Sequence, residues 1–157
     1  MDEDISTRHE SIQEWLRRRV DKETYRHIRR LWMEHSIAED NRDIPGLIAT
    51  LTPTCVYEVP LTRHRWEGRP GAERFYTELL TAFPDIHFDL QSIVIGPQGV
   101  WEEAWATGTW EQPWIDLPPT GRSLALTIQI YFPYNEGSKL FDGERMFFDL
   151  GQLTATA

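Results

Sequence analysis

The pattern of apolar and polar positions divides the chain into a helical first part and a strand-rich second part. Apolar residues recur every three or four positions over residues 8–20 and again over residues 21–41, which is the spacing of amphipathic helices. The second of these helices begins at Asp21, a residue type that caps helix N-termini. Residues 43–51 predict a third, short helix, because Pro45 fits the first turn of a helix.

Strands follow, marked by β-branched and aromatic residues. A first strand is predicted over residues 54–59, then a turn region over residues 60–71 and an amphipathic helix over residues 72–83. Four longer strands, joined by turns and a loop rich in Gly and Pro, are predicted over Ile86–Ile95, Val100–Trp110, Ser123–Phe132 and Lys139–Leu150. Helices followed by a run of strands indicate the α+β class, with helices packed on one face of a curved antiparallel sheet.

Composition narrows the classes of function. A length of 157 residues suffices for one compact domain. The net charge of −9 argues against nucleic acid and anionic membrane as partners. The chain has no apolar run long enough to span a bilayer and no signal-peptide core, so a cytoplasmic protein is expected. Cys55 is the only cysteine and the histidines are scattered, so neither a disulfide within the chain nor a metal site is expected.

Four short motifs occur in a characteristic order along the second half of the chain. They are Phe83-Pro84-Asp85, Gly108-Thr109-Trp110, Leu117-Pro118-Pro119-Thr120-Gly121-Arg122 and Phe147-Phe148-Asp149-Leu150. This order resembles the SnoaL-like polyketide cyclases, a branch of the NTF2-like cone fold. The resemblance covers roughly residues 24–153 and implies helices that close one side of a strongly bent sheet around a pocket.

The resemblance also sets expectations for domains and partners. It implies a SnoaL-like (NTF2-like) domain over residues 21–157, preceded by a helical extension over residues 1–20 that caps either the cone or a dimer. It implies no cofactor, a small hydrophobic molecule as ligand, and a homodimer formed through the open face of the sheet. The chain departs from the family in two places: Trp110 stands where members often have a histidine, and the strand after Thr-Gly-Arg has none.

Asp149 is the expected catalytic residue, because family members carry a proton-transferring aspartate on the last strand. Its neighbours Phe148 and Leu150 would desolvate the carboxylate and raise its pKa. The alternative is that Asp149 caps a turn before Gly151. Gln129 would donate to an enolate oxygen if its strand face lines the pocket, and is otherwise a solvated residue.

Histidine and aromatic residues supply the remaining candidates. His64 is a possible second acid or base, although it lies in a polar run that favours exposure. The other histidines on the helices, including His35, are interpreted as surface residues. Substrate contacts are expected from Tyr57, Trp32, Trp105, Trp110 and Phe147. Alternation along the predicted strand Val100–Trp110 puts Trp101, Glu103 and Trp105 on one face and Glu102 and Trp110 on the other, and we expect one face to line the pocket and the other to form an interface.

Three functions are compatible with these residues. The first is a cofactor-free acid/base enzyme that cyclises, isomerises or dehydrates a hydrophobic carbonyl compound. The second is a non-catalytic NTF2-like module that binds a ligand or dimerises. The third is an epoxide hydrolase of the limonene-epoxide hydrolase type, in which Arg145 would pair with Asp149 and Glu103 would be the second carboxylate.

Overall fold

The computed structural model describes residues 11–155. Five helices lie in this range: α1 (residues 11–17), α2 (Lys22–Asp40), α3 (Ile44–Ala49), α4 (Gly68–Ala82) and α5 (Leu150–Thr154). The predicted second and third helices are confirmed. Asp21 caps α2 as expected, since its carboxylate accepts from the N–H groups of Glu23 and Thr24. Residues 8–10 of the first predicted helix lie outside the described range.

Six strands form one sheet: β1 (Leu51–Val59), β2 (His64–Glu67), β3 (His87–Gly96), β4 (Gly99–Thr109), β5 (Ser123–Asn135) and β6 (Leu140–Phe148). Their order is β2-β1-β6-β5-β4-β3, and the sheet is curved without closing. The predicted α+β fold with a curved sheet is confirmed, and its strands pair antiparallel except for β1 and β6, which pair in parallel. Strand β2 lies where the sequence predicts a turn region, since four residues with one buried side chain give no readable alternation.

The two faces of the sheet have different surroundings. On β4 the side chains of Val100, Glu102 and Ala104 are buried under the helices, whereas Trp101 and Trp105 point outward and are each 43% exposed. The predicted separation of two faces on this strand is therefore confirmed. We refer to the side of the sheet away from α2 and α4 as the outer face.

A bulge at Gly143 changes which residues of β6 point inward. Gly143 has a φ of +111°, and a Cβ there would lie 2.0 Å from the carbonyl oxygen of Val56 on β1. Glycine is therefore required at this close approach. After the bulge Glu144, Met146 and Phe148 are all buried, so β6 delivers a carboxylate to the interior.

Helix α1 lies beside the β3–β4 turn. Arg18, just after this helix, pairs with Glu136 at 2.8 Å and donates to the carbonyl oxygen of Pro97 at 3.4 Å. These contacts place the N-terminal segment at the end of the sheet, and the domain boundary at residue 20 stays a prediction. Among residues 11–155 there is no helix that is both long enough and apolar enough to span a bilayer.

Candidate functional site

A cluster of polar side chains lies inside the molecule between α2, α4, β1 and β6. It consists of His35, Tyr57, Tyr76 and Glu144, each of which is at most 2% exposed. The Glu144 oxygen Oε1 accepts from the Tyr57 hydroxyl at 2.9 Å and from the Tyr76 hydroxyl at 2.6 Å, and lies 2.8 Å from His35 Nε2. We call these four residues the buried polar cluster.

The polar atoms of the buried polar cluster have hydrogen-bond partners within residues 11–155. The Thr50 hydroxyl donates to the carbonyl of Leu47, so it accepts at 2.7 Å from His35 Nδ1–H. His35 Nε2 lies 2.8 Å from both the Tyr76 hydroxyl and Glu144 Oε1. Burial, followed by the negative charge of Glu144, raises the pKa values of Tyr57 and Tyr76 well above their ordinary range, so both phenols remain donors.

A second buried carboxyl group lies on β4. Glu102 is only 9% exposed, and its Oε2 accepts from the indole N–H of Trp32 on α2 at 2.7 Å. Burial raises the pKa of Glu102 to about 7, the Trp32 hydrogen bond opposes this rise, and the charge of Glu144 adds to it. A carboxyl group with this pKa exchanges a proton readily at neutral pH.

Glu102 and Trp32 line a small pocket that Glu39 and Phe88 also line. Its volume is about 20 Å³, and we call it the carboxyl pocket. Burial raises the pKa of Glu39 well above its usual range, and the charges of Glu144 and Glu102 raise it further. The pocket therefore holds two carboxyl groups with raised pKa values, Glu102 at about 7 and Glu39 well above its usual range.

An apolar cavity of about 30 Å³ lies on the other side of Phe88. Its walls come from α4, from the loop between β4 and β5, and from β3–β6, and include Phe83, Ala106, Trp114, Met146 and Phe148. Phe88 lines both the cavity and the carboxyl pocket, and the small residues Ala104 and Ala106 follow each other on the inner face of β4. The carboxyl pocket thus has an acidic lining, the cavity has an apolar one, and Phe88 belongs to both.

Asp149 does not lie on the last strand. Strand β6 ends at Phe148, and the exposed Asp149 is the N-cap of α5, where its carboxylate accepts from Gly151 N–H at 2.7 Å. The expectation of a desolvated strand aspartate is wrong, because a residue that caps a helix must leave the ladder of the strand. The predicted Asp149–Arg145 pair is wrong as well, since Arg145 lies on the outer face and contacts Glu58 at 3.2 Å.

Three further candidates lie on the outer face. Gln129 is exposed and donates to Glu103 at 3.3 Å, Trp105 is exposed, and Phe147 stacks on Trp101 with centroids 5.7 Å apart. The expectation that they contact a substrate inside the cone is wrong. The physical reason is strand alternation: each is preceded and followed by inward-pointing residues.

The other predicted residues lie elsewhere in the interior or near its edge. Tyr57 belongs to the buried polar cluster, and Trp32 lines the carboxyl pocket. Trp110 is 1% exposed and packs on Phe83 in the core, with its N–H bonded to the Gln112 carbonyl. His64 is half-buried, and its Nε2 lies 2.9 Å from Asp116 in the β4–β5 loop. The catalytic or binding roles of these four residues remain predictions.

His35, Glu39 and Glu144 were missed by the reasoning from sequence, and Glu102 was not assigned a role. His35 shares the inward spacing of Ile28 and Leu31 on α2, so the interpretation of it as a surface residue is wrong. Glu144 precedes Met146 and Phe148 by even steps, which is the signal that places it inside. Within residues 11–155 no three His, Cys, Asp or Glu side chains are grouped to hold a metal ion.

Comparison with known proteins gives one family. The family model of the SnoaL-like domain matches residues 29–138, which is more than half of the chain. No curated protein matches the chain significantly.

Solved structures share the fold at low sequence identity. A candidate SnoaL-like polyketide cyclase from Jannaschia is 19% identical, with a TM-score of 0.69 over 90% of this chain and 98% of that one. AclR, a candidate hydroxylase from Streptomyces galilaeus, is 17% identical, with a TM-score of 0.65 over 82% of this chain and 93% of AclR. A protein of ketosteroid isomerase-like fold from Catenulispora acidiphila, solved with trimethylamine, is 10% identical. Its TM-score is 0.64 over 78% of this chain and 87% of that one. These likenesses establish the fold.

Proposed function

Because the chain belongs to the SnoaL-like domain family, we propose that it is a cofactor-free acid/base enzyme that acts on a small hydrophobic carbonyl compound. The observation that carries the proposal is Glu102, a carboxyl group that is nine-tenths buried, lines the carboxyl pocket and has a pKa of about 7. Perturbed carboxyl groups in concave sites are typical of proton-transfer enzymes. The structural relatives bear the names of a cyclase, a hydroxylase and a ketosteroid isomerase-like fold, which agrees with this class.

The proposed reaction begins with removal of a proton from the carbon next to the carbonyl group. The Glu102 carboxylate takes this proton, the C–H electron pair forms the double bond of an enolate, and the carbonyl oxygen gains the negative charge. In our proposal Glu39, whose pKa burial raises well above its usual range, donates a hydrogen bond to this oxygen from its protonated form. Glu102 then returns the proton to carbon, so the step needs no oxidant, reductant or metal.

The cone has to adjust to admit such a substrate. The carboxyl pocket and the apolar cavity have volumes of about 20 and 30 Å³, each roughly the space of a water molecule. Phe88 is half-buried and lines both spaces, and we propose that its side chain moves to join them when a substrate binds. The substrate then places its carbonyl group at the carboxyl pocket and its apolar body in the cavity.

Exchange of protons next to a carbonyl group tests this function without knowledge of the natural substrate. The protein is added to cyclohexanone, 2-indanone and 2-tetralone in D₂O, and incorporation of deuterium is followed by NMR. Because the carboxylate form of Glu102 is the base, catalysed exchange is expected to rise with pH through about 7 and then level off. Exchange at the rate of buffer alone for all three ketones contradicts the proposal, as does a profile without a transition near pH 7.

A second candidate is binding of a hydrophobic ligand without reaction. The apolar cavity favours it, because all twelve of the residues that line it within the described part of the chain are hydrophobic. Binding of the same ketones with no exchange above the buffer rate at any pH supports this function over the first.

We also propose that the outer face pairs two copies of the chain. Trp101 stacks on Tyr131 at 4.8 Å and on Phe147 at 5.7 Å, and Trp105 adds further exposed aromatic surface. An apolar strip of this kind is typical of an interface between proteins.

Sedimentation equilibrium tests the pairing. The double variant Trp101→Glu/Trp105→Glu is expected to be a monomer at concentrations where the wild-type protein is a dimer, because each substitution buries a charge in the interface. Leu61→Glu is the matched control, since Leu61 is 60% exposed in the β1–β2 turn. A wild-type monomer, or a double variant that remains dimeric, contradicts the pairing.

A further inference from the structure

The charges of this chain are distributed unevenly along its sequence. Residues 17–30 contain seven basic and two acidic residues, a net charge of +5, and the net charge of −9 on the whole chain leaves −14 for the rest. Five exposed cations lie around the first half of α2 and on the turn between β5 and β6: Lys22, Arg26, Arg29, Arg30 and Lys139. We call these five residues the basic patch.

The stability of α2 does not account for the basic patch. Lys22, Arg26 and Arg30 follow each other at intervals of four residues, so like charges are neighbours on the helix surface and repel each other. Lys22 also lies in the first turn, where the helix dipole disfavours a cation, and the last turn of α2 contains no basic residue. This distribution of cations is the reverse of the one that favours a helix.

No residue of the basic patch forms an ion pair with another of residues 11–155. The arginines that do so within that range are Arg18, Arg65 and Arg145, each of which contacts a glutamate. The chain has 25 acidic residues against 16 basic ones, so carboxylates are in excess as possible partners. The charges of the basic patch are therefore available to a group outside the described part of the chain.

A surface groove of about 470 Å³ lies between α2 and the turn between β5 and β6. Arg26 and Arg30 line it from α2, and Lys139 lines it from the turn. His27 Nε2–H donates to the carbonyl oxygen of Lys139 at 2.8 Å, which attaches the turn to the helix. Asp21 also lines the groove, but its carboxylate accepts from two N–H groups at the start of α2. The groove thus presents cations from two sides.

We propose that the basic patch docks a short acidic segment of a partner protein in this groove. Guanidinium groups bind carboxylates through paired, charge-assisted hydrogen bonds. A nucleic acid or an anionic membrane fits less well, because either extends beyond the patch and meets the surface that carries the charge of −14. A short segment meets the cations alone. Among residues 11–155 the groove shares no lining residue with the carboxyl pocket or the apolar cavity, so this docking is independent of the proposed reaction.

Titration with an acetylated octaglutamate amide tests the docking. Binding is followed by NMR of ¹⁵N-labelled protein, and we expect the shifted amide signals to come from residues 22–30 and 136–139. Because salt screens exposed charges, the dissociation constant is expected to rise roughly tenfold between about 0.05 and 0.3 M NaCl.

A charge-reversal variant locates the binding surface. Arg26→Glu/Arg30→Glu is expected to weaken octaglutamate binding roughly ten- to hundredfold, because two attractive contacts become repulsive. Its thermal unfolding should change little, since neither arginine forms an ion pair within residues 11–155. Arg63→Glu/Arg74→Glu is the matched control, because it makes the same change in net charge at two exposed positions outside the groove. It should weaken binding no more than about twofold.

The outcomes distinguish the surface from the kind of partner. No binding of octaglutamate, or equal weakening in the two double variants, overturns the docking surface. Single-stranded DNA and phosphatidylserine vesicles are the competing probes, and tighter binding of either one through Arg26 and Arg30 overturns the acidic protein segment. Ketone deuterium exchange should be the same in Arg26→Glu/Arg30→Glu as in the wild-type protein, and a loss of exchange contradicts the independence of the two sites.

Discussion

Replacing Glu102 with glutamine is expected to lower the rate of ketone deuterium exchange by about 10²–10⁴-fold, the usual contribution of a general base. In the wild-type protein the Trp32 N–H donates to Glu102 Oε2 at 2.7 Å. Glutamine has nearly the same size and keeps an oxygen that can accept this hydrogen bond. The loss is therefore chemical, because an amide cannot take up the proton. Ketone binding should change little.

The stability of the same variant provides an independent check. The pKa of Glu102 rises from 4.5 to about 7 in the folded protein, so the folded state binds the proton more tightly than the unfolded chain does. Proton binding to Glu102 therefore stabilises the folded wild-type protein fully below about pH 4.5. About 3 kcal/mol of the free energy of unfolding is lost as the pH rises through 7. Glu102→Gln should lack this loss, which urea unfolding at pH 5 and pH 8 measures.

Asp149→Asn is the matched variant for Glu102→Gln. The family pattern predicts that Asp149 transfers the proton, whereas the structure places it at the exposed N-terminus of α5. Activity that is lost in Glu102→Gln and retained in Asp149→Asn supports the proposal. The reverse result restores the assignment to Asp149 and contradicts the role of Glu102.

Removal of the Glu144 side chain is expected to have the largest effect on folding. Glu144→Ala leaves the hydroxyls of Tyr57 and Tyr76 and the imidazole of His35 without their common acceptor in a region closed to water. Breaking a buried ionic network in this way costs about 3–5 kcal/mol. This is a large part of the roughly 5–15 kcal/mol by which domains are stable, so the midpoint of urea unfolding should fall sharply.

Glu144→Gln keeps the test measurable if the alanine variant does not fold. Glutamine retains an acceptor oxygen but not the charge, so a smaller loss of about 1–3 kcal/mol is expected. Glu73→Ala, at an exposed position of α4, is the control and should change stability by no more than about 0.5 kcal/mol. A Glu144→Ala protein as stable as the control contradicts a structural role for the buried polar cluster.

Local patterns predicted most of the elements because each depends on neighbouring residues. The helical spacing and the cap at Asp21 determine α2, and alternating strands separated by turn residues determine β3–β6. The errors lie at element ends and in the shortest pieces. Strand β2 has four residues, and Asp149 was assigned to a strand that ends one residue before it.

The site was predicted less well. Alternation in the sequence shows which residues of a strand share a face, but it does not show which of the two faces the helices cover. Trp105 and Phe147 form part of an aromatic stripe that sequence reasoning read as a possible pocket wall, and the helices pack on the opposite side. Glu102 and Glu103 are neighbours in the sequence and point to opposite faces. Only the packing of Trp32 on α2 against Glu102 shows that Glu102 is the buried one.

The sequence by itself determined the α+β class, the principal helices and strands and, through its motifs, the SnoaL-like family. These properties depend on short-range preferences and on patterns that are legible one segment at a time. Only the tertiary structure brought His35, Tyr57 and Glu144 together across 109 positions of the chain and left the indole N–H of Trp114 without a hydrogen-bond partner among residues 11–155. Such contacts depend on how distant segments pack and on how far packing removes charged groups from water, and neither is encoded in any single segment.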